Sequence, residues 1–174
     1  PIIGICAVML WIEGGSPFYT QMRIGKDGKR FSILKLRTMV QNADQVLEDY
    51  LAKDPDMRAE WDALQKLKND PRVTRLGALL RATSLDELPQ LLNVLKGDMS
   101  LIGPRPMMVD QEGMYGDMQA YEALRPGITG LWQVSARNGN TFSYRNEVDA
   151  TYEGNVTLRK DLAILYKTVG VVLR

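Results

Sequence analysis

Apolar positions recur at helical spacing immediately after an acidic pair near the middle of the chain. Leucines at positions i, i+3, i+4 and i+7 predict a helix with one apolar stripe turned towards a core. They are Leu88, Leu91, Leu92 and Leu95. Polar residues fall on the opposite side, where a ligand would bind. They are Asp86, Gln90, Asn93 and Gly97.

The rest of the pattern predicts a small, mostly helical α+β domain with a short β-hairpin. Residues 18–39 alternate around an Asp-Gly turn, which predicts the hairpin. Residues 42–67 predict two amphipathic helices broken near Pro55, either packed on the domain or lying on a membrane. Three further elements are predicted: a helix over 109–124, a strand over 131–135 and a closing helix over 158–173.

Residues 1–12 form an apolar run that ends at Trp11. The run is shorter than the roughly 20 residues that cross a bilayer, and it lacks the basic start of a signal peptide. Tryptophan next to polar residues is typical of a membrane interface. The run therefore predicts either a buried helix or part of a membrane element.

Composition narrows the chemistry more than it narrows the fold. The 174 residues are 45% hydrophobic and 25% charged, with a net charge of +1, so nothing indicates a nucleic-acid partner. A single cysteine gives no disulfide framework. The chain has no histidine, which excludes histidine-based triads and most zinc sites. Carboxylates, basic groups, hydroxyls and a hard cation such as Mg²⁺ remain.

Asp86 and Glu87 are the candidate catalytic pair. Pro89 lacks an N–H group and fits the first turn of a helix, which would place both carboxylates at the positive end of the helix dipole. An ionised aspartate is a potential nucleophile, and a neighbouring glutamate can hold a divalent cation. The alternative is a capping box from Ser84 to Glu87, although Pro89 would then fall at the fifth helical position.

Basic residues suggest phosphate binding. Lys35 and Arg37 share one face of the second predicted strand, which indicates either a solvated edge or a phosphate site. Arg105 lies between two prolines, so its side chain projects from a stiff loop and loses little entropy on binding a phosphate. A plain turn with an exposed arginine is the alternative for Arg105.

Four motifs in order carry a resemblance that covers nearly the whole chain. They are KLRTM at 35–39, RATSLDELPQL at 81–91, GDMSLIGPRP at 97–106 and RPGITGLWQV at 125–134. Together they resemble the bacterial sugar transferases, the monotopic polyprenyl-phosphate phosphoglycosyl transferases that start exopolysaccharide and O-antigen synthesis. The chain looks most similar to the galactosyl-phosphate transferases of exopolysaccharide assembly.

The resemblance implies a two-step reaction. Asp86 would attack the β-phosphate of a UDP-hexose, galactose or glucose, release UMP and carry the sugar phosphate as a covalent ester. Undecaprenyl phosphate would then accept the sugar phosphate. Glu87 would hold Mg²⁺ as the metal ligand, Arg81 and Arg105 would bind phosphate, and Asp161 would act at the catalytic site.

The resemblance also implies a membrane location on the cytoplasmic face of the bacterial inner membrane. Residues 1–12 would be the second half of a re-entrant membrane helix, and residues 13–174 the catalytic domain. The expected partners are a UDP-sugar, undecaprenyl phosphate and membrane lipid, with a homo-oligomer also compatible. Two other functions stay open: a non-catalytic membrane-associated binding module, and a phosphotransferase with a non-lipid acceptor.

Overall fold

The computed structural model describes residues 1–64, 67–135 and 142–172, and the chain forms two compact units. The first, here the helical unit, comprises Pro1–Pro17 and Leu36–Asp86. The second, here the sheet unit, comprises Phe18–Lys35 and Glu87–Arg174. Helices predominate and the strands are short, so the α+β prediction is confirmed.

The helical unit contains α1 (Ile2–Glu13), α2 (Ala43–Lys53), α3 (Pro55–Leu64) and α4 (Arg75–Ala82). The α1 helix buries Cys6 and Leu10 against Leu36 and Leu80. Ile3 is partly buried against this cluster, whereas six other apolar side chains of α1 are exposed: Ile2, Ile5, Val8, Met9, Trp11 and Ile12. Within the described part of the chain, no helix combines the length and apolar character that crossing a bilayer needs. The re-entrant membrane helix stays a prediction.

The predicted break between two amphipathic helices is confirmed. The Met57 N–H donates to Asp54 Oδ1 at 2.9 Å, so Asp54 caps the start of α3 just after α2 ends. The apolar side chains of this region pack on one another, with Leu47, Leu51 and Leu67 buried. This packing shows how the stripe is covered within the unit, and a membrane position for these helices stays a prediction.

The sheet unit contains the predicted hairpin, formed by β1 (Phe18–Ile24) and β2 (Arg30–Leu36). Asp27 and Gly28 lie in the left-handed region, at φ 57° and 70°, which the turn requires. The other strands are β3 (Ser100–Ile102), β4 (Met107–Met108) and β5 (Gly127–Thr129). β4 extends the hairpin in the order β2-β1-β4, and β3 pairs with β5 in parallel.

Six α-helices complete the described part of the sheet unit. They are α5 (Leu91–Lys96), α6 (Glu112–Tyr115), α7 (Gln119–Glu122), α8 (Leu131–Ser135), α9 (Phe142–Glu153) and α10 (Leu158–Val172). The closing helix is confirmed by α10, and Leu173 lies outside the described residues. The predicted helix over 109–124 is wrong as one element, because Gly116 at φ 85° separates α6 from α7.

The prediction that the leucine stripe of the central helix faces a core is wrong. Leu91, Leu92 and Leu95, here the leucine face, are exposed, and Leu95 is 83% exposed. Gln90, on the opposite side, is only 2% exposed. Asn93 explains the inversion: its Oδ1 accepts the Leu34 N–H at 3.0 Å, and its Nδ2 donates to Ser32 O at 2.8 Å. The polar side thus satisfies backbone groups of β2.

The predicted strand over 131–135 is also wrong. These residues form α8, and the strand lies earlier, over Gly127–Thr129. A Cβ atom on Gly127 or Gly130 would collide with the backbone of Gly103. The glycines that read as a turn cluster in the sequence therefore allow β5 to approach the end of β3 closely.

Candidate active site

The parallel pair β3–β5 places two loops at one edge of the sheet. Ser100 pairs with Gly127 and Ile102 with Thr129, so both strands end at the same side. The Gly103 N–H donates to Thr129 O at 3.0 Å, and the Gly127 N–H donates to Pro104 O at 2.8 Å. The Arg105 loop after β3 and the α8 helix after β5 are therefore held side by side.

A cleft lies beside these loops, entirely within the sheet unit; we call it the basic cleft. It is lined by Arg23, Ile33, Lys35, Glu87, Gln90, Arg105, Pro106, Ile128 and Gln133. Three of these side chains are basic and one is acidic, so the lining carries a positive balance. Such a concave, positively charged surface suits a phosphorylated ligand.

Glu87 is the acidic group of the basic cleft, and Lys35 is its partner. Lys35 Nζ donates to Glu87 Oε1 at 2.8 Å, and both side chains are partly buried. This contact brings the Lys35 end of the second strand to Glu87 in the basic cleft. Phosphate binding by Lys35 stays a prediction.

The acidic pair lies in a 3₁₀-helix, Leu85–Gln90, that precedes α5. Pro89 falls inside this 3₁₀-helix, so its predicted place in the first turn of the α-helix is wrong. Asp86 is buried and comes directly before Glu87. The capping-box alternative is not supported, because Ser84 has φ 55° and its N–H already donates to Arg81 O at 3.2 Å.

Arg105 lines the basic cleft from the loop that carries its two flanking prolines. Its carbonyl oxygen accepts a hydrogen bond from Arg145 Nη2. Arg145 is buried, and its Nε lies 3.8 Å from Asp149 Oδ2. Asp149 in turn accepts the hydroxyl hydrogen bond of Tyr115. Burial raises the pKa of Asp149 and lowers the pKa of Arg145, so this pair orders the Arg105 loop at an electrostatic cost.

Arg23 is a cleft residue that the sequence analysis missed. It lies on β1 opposite Met108 of β4, and its Nη1 donates to Pro106 O at 3.3 Å. Burial, and next the charge of Arg105, lowers the pKa of Arg23 to about 10, so the guanidinium stays charged at neutral pH. The sequence did contain a signal for Arg23, which is a basic residue between two apolar residues of a predicted strand. Alternation in a strand places such a residue on the face opposite to its two apolar neighbours.

Arg37 and Arg81 do not line the basic cleft. Arg37 Nη2 donates to Leu10 O at 2.8 Å, near the end of α1, and lies 4.0 Å from Glu13 Oε2. Arg81 Nε donates to Thr38 Oγ1 at 2.8 Å. Arg37 follows the last residue of β2, and its N–H donates to Pro17 O at 2.8 Å, so the predicted strand face shared with Lys35 stays a prediction. Phosphate binding by either arginine stays a prediction.

Asp161 lies in the first turn of α10, and it too is absent from the lining of the basic cleft. Its Oδ1 accepts the Tyr152 hydroxyl at 2.7 Å. Burial, then the hydrogen bond to Asp161, raises the pKa of Tyr152. The contact ties α10 to α9, and a catalytic role for Asp161 stays a prediction.

The donor set of the cleft fits a cation that binds together with a phosphate. Among the described residues, no group of three or more acidic, cysteine or histidine side chains could form a metal cage. Mg²⁺ is commonly held by one or two carboxylates plus the phosphates of a substrate. The Glu87 carboxylate meets that requirement, so Glu87 is the residue that would hold Mg²⁺.

Comparison with known proteins assigns the family. The family model described as "Bacterial sugar transferase" matches residues 1–174. The chain belongs to the bacterial sugar transferase family. The chain is 51% identical over 175 residues to the "UDP-galactose-lipid carrier transferase" of Erwinia amylovora. It is 51% identical over 172 residues to the "Undecaprenyl-phosphate galactose phosphotransferase" of Salmonella typhimurium. With the "Exopolysaccharide production protein ExoY" of Rhizobium meliloti it shares 47% over 169 residues.

The similarity covers nearly all of the chain but varying shares of its relatives. The match covers 100% of the chain and 37% of the Erwinia relative, and 96% of the chain and 36% of the Salmonella relative. It covers 97% of the chain and 75% of the Rhizobium relative. The chain thus spans about a third of the length of the first two relatives and most of the third.

Proposed function

We propose that this chain transfers a sugar 1-phosphate from a UDP-hexose to undecaprenyl phosphate, as the first step of exopolysaccharide or O-antigen synthesis. The names of two relatives support this reaction class: that of the Erwinia protein specifies UDP-galactose and a lipid carrier, and that of the Salmonella protein specifies undecaprenyl phosphate and galactose. Galactose and glucose are the proposed sugars. The protein would work at the cytoplasmic face of the inner membrane.

One observation carries the proposal: the basic cleft joins Arg23, Lys35 and Arg105 to Glu87, the residue that follows Asp86. A carboxylate that attacks a diphosphate approaches a group of the same charge, and this repulsion must be neutralised. Phosphoryl transfer asks mainly for positioning and charge stabilisation. Three cations in one cleft supply both without a histidine.

The proposed chemistry has two displacements. An Asp86 carboxylate oxygen attacks the β-phosphorus, an oxygen–phosphorus bond forms, and the bridging oxygen leaves with UMP. A phosphate oxygen of undecaprenyl phosphate then attacks the same phosphorus and releases the Asp86 carboxylate. Arg105 and Lys35 bind the phosphate oxygens during both displacements. Mg²⁺, when bound, would add positive charge beside the diphosphate, with Glu87 as its protein ligand.

Exposed apolar side chains support a membrane-bound acceptor. The leucine face of α5 is exposed, and α5 and α10 both pack against β3. An exposed apolar stripe also runs along α10: Leu158, Leu162, Tyr166 and Val169. Exposed apolar side chains that lie together on one helix face are typical of contact sites for lipid or protein. We propose lipid, because undecaprenyl phosphate resides in a membrane.

The deciding experiment mixes the full-length protein with UDP-galactose and Mg²⁺ but no lipid acceptor. We expect at most about one UMP per active site, as a covalent intermediate requires. Mass spectrometry should find a hexose phosphate on the peptide that contains Asp86, and Asp86→Asn should abolish both signals. Adding undecaprenyl phosphate to the wild-type reaction should then allow continuous release of UMP.

Other outcomes identify the alternatives. A non-catalytic binding module releases no UMP under any condition. A direct transfer releases UMP only after the lipid is added and leaves the Asp86 peptide unlabelled. A phosphotransferase with a non-lipid acceptor gives the burst, but undecaprenyl phosphate does not restore its turnover.

A further inference from the structure

Two glutamines of the basic cleft carry buried polar atoms without hydrogen-bond partners. Gln133 is 7% exposed, and neither its Oε1 nor its Nε2 has a partner among the residues that the structure describes. Gln90 is 2% exposed, and its Nε2 likewise lacks a partner in that part of the chain. Both side chains line the cleft. A buried, unpaired polar group destabilises a fold, so such a group in a native protein calls for an explanation.

The backbone holds Gln133 in place before any ligand binds. Gln133 lies on α8, directly after the close approach of Gly130 to the backbone of Gly103. The same region holds the Arg105 loop through the Gly103 N–H bond to Thr129 O at 3.0 Å. Gln133 and Arg105 are therefore both anchored at one edge of the β3–β5 pair, an arrangement that suits a preorganised binding site.

The chemistry of the two amides differs from that of the basic groups around them. Lys35 and Arg105 only donate and are charged, so they match phosphate oxygens. A glutamine amide both donates and accepts and carries no charge, which matches a hydroxyl group. The cleft thus combines an anion-binding part with a part suited to neutral hydroxyls, and a sugar phosphate has both kinds of group.

We propose that Gln133, together with Gln90, binds hydroxyl groups of the donor's hexose ring and thereby determines which sugar is accepted. This inference rests on the proposed function and adds the sugar subsite to it. The uracil ring is the other part of the UDP-sugar that carries a hydrogen-bond donor next to a hydrogen-bond acceptor. The lining favours the hexose: its apolar members are Ile33, Pro106 and Ile128, so no aromatic ring among the described lining residues is available to stack on a base.

Gln133→Met tests the role, because methionine keeps much of the volume and removes both polar atoms. We expect kcat/KM for UDP-galactose to fall about 10- to 100-fold, the usual effect of losing paired hydroxyl contacts. The Tm should stay equal or rise, because an unpaired amide has been removed from the interior. A structural role predicts a lower Tm instead. The exposed Gln119→Met of the same unit is the matched control and should change neither quantity.

Substrate analogues identify the group that Gln133 contacts. Monodeoxy UDP-galactoses should be poorer donors than UDP-galactose for the wild type, and at least one of them should lose this penalty in Gln133→Met. The inhibition constant of UMP, which lacks the sugar, should be the same in both proteins. A higher inhibition constant of UMP in Gln133→Met would assign Gln133 to the uracil and overturn the proposal. The proposal would also be overturned if every monodeoxy analogue remained as poor a donor, relative to UDP-galactose, in the variant as in the wild type.

Failure of this inference is separable from failure of the proposed function. Suppose that the wild type releases UMP and becomes labelled at Asp86, while Gln133→Met discriminates between UDP-galactose and its monodeoxy analogues as the wild type does. Then only the proposed sugar subsite is wrong. If wild type releases no UMP, the proposed function is wrong. Equilibrium binding of UDP-galactose and of UMP to the Asp86→Asn protein then tests the subsite without turnover. The comparison is between the double variant, which carries both Asp86→Asn and Gln133→Met, and the single variant Asp86→Asn. Equal affinities of these two proteins for UDP-galactose would overturn the sugar subsite.

Discussion

Lys35 Nζ lies 2.8 Å from Glu87 Oε1, and both side chains line the basic cleft. The pair joins the end of β2 to the start of the 3₁₀-helix that contains the acidic pair. A ligand phosphate or a cation that enters the cleft must compete with this contact. The pair therefore links the charge of the ligand to the position of Glu87.

Replacing Glu87 by glutamine removes the charge but keeps the shape of the side chain. We expect Glu87→Gln to lower the rate of UMP release at least about 100-fold, because electrostatic groups at reacting phosphates contribute on that scale. Circular dichroism and the Tm should stay close to wild type. The exposed Glu147→Gln is the control. Full activity in Glu87→Gln would remove Glu87 from the catalytic assignment.

Arg145 is expected to position the Arg105 loop through the hydrogen bond to the Arg105 carbonyl. Arg145→Met should raise the KM for UDP-galactose and destabilise the fold by about 3 kcal/mol, because Asp149 loses its buried partner. Adding Asp149→Asn should recover much of the stability without restoring the KM. A KM that recovers together with the stability would show that Arg145 acts only on the fold.

The buried pair of Asp70 and Arg72 predicts a pH dependence of stability. Arg72 Nη2 lies 2.7 Å from Asp70 Oδ2. Burial raises the pKa of Asp70, but the hydrogen bonds and charge of Arg72 outweigh it, so the pKa lies below 3.8. The folded state therefore binds fewer protons than the unfolded state below pH 3.8, and the stabilisation is lost as the pH falls through the folded-state pKa.

The measurement for this pair is the free energy of unfolding between pH 2 and 7. Asp70→Asn should be less stable than wild type by about 3 kcal/mol at pH 7, and the difference should shrink below pH 3.8. The exposed Asp62→Asn should follow wild type throughout. A difference that stays constant down to pH 2 would contradict the assignment to Asp70 ionisation.

The leucine face predicts membrane binding that salt does not reverse. Replacing Leu92 and Leu95 by serine should weaken binding to phospholipid vesicles at least about 100-fold, because each buried leucine contributes about 1.5–3 kcal/mol and the two together about 3–6 kcal/mol. Cosedimentation at low and high salt measures this effect. Met114→Ser, another exposed apolar position of the sheet unit, should bind like wild type. If the protein with serine at positions 92 and 95 bound vesicles as tightly as Met114→Ser and the wild type do, the leucine face would be excluded as the lipid contact.

Sequence by itself determined the local elements and the residue types that carry chemistry. The alternation around Asp27 and Gly28 predicted the hairpin, and Pro55 predicted the break between α2 and α3, because turns and helix breaks depend on neighbouring residues. The adjacency of Asp86 and Glu87 and the absence of histidine likewise need no fold. The four motifs were sufficient to predict the family.

Tertiary structure alone decided which side of each element is covered and which distant residues meet. Periodicity separates the two sides of α5, but only the hydrogen bonds from Asn93 to β2 bury its polar side and leave Leu95 in the open. Arg23 reaches the basic cleft because β1 pairs with β4, and Gln133 reaches it because β5, which precedes α8, pairs with β3. Both pairings join residues that are far apart in the chain. Helical periodicity was enough to place Gln90 on the side predicted to face a ligand, but a local pattern contains no information on the distant contacts that bring Gln133 into the cleft.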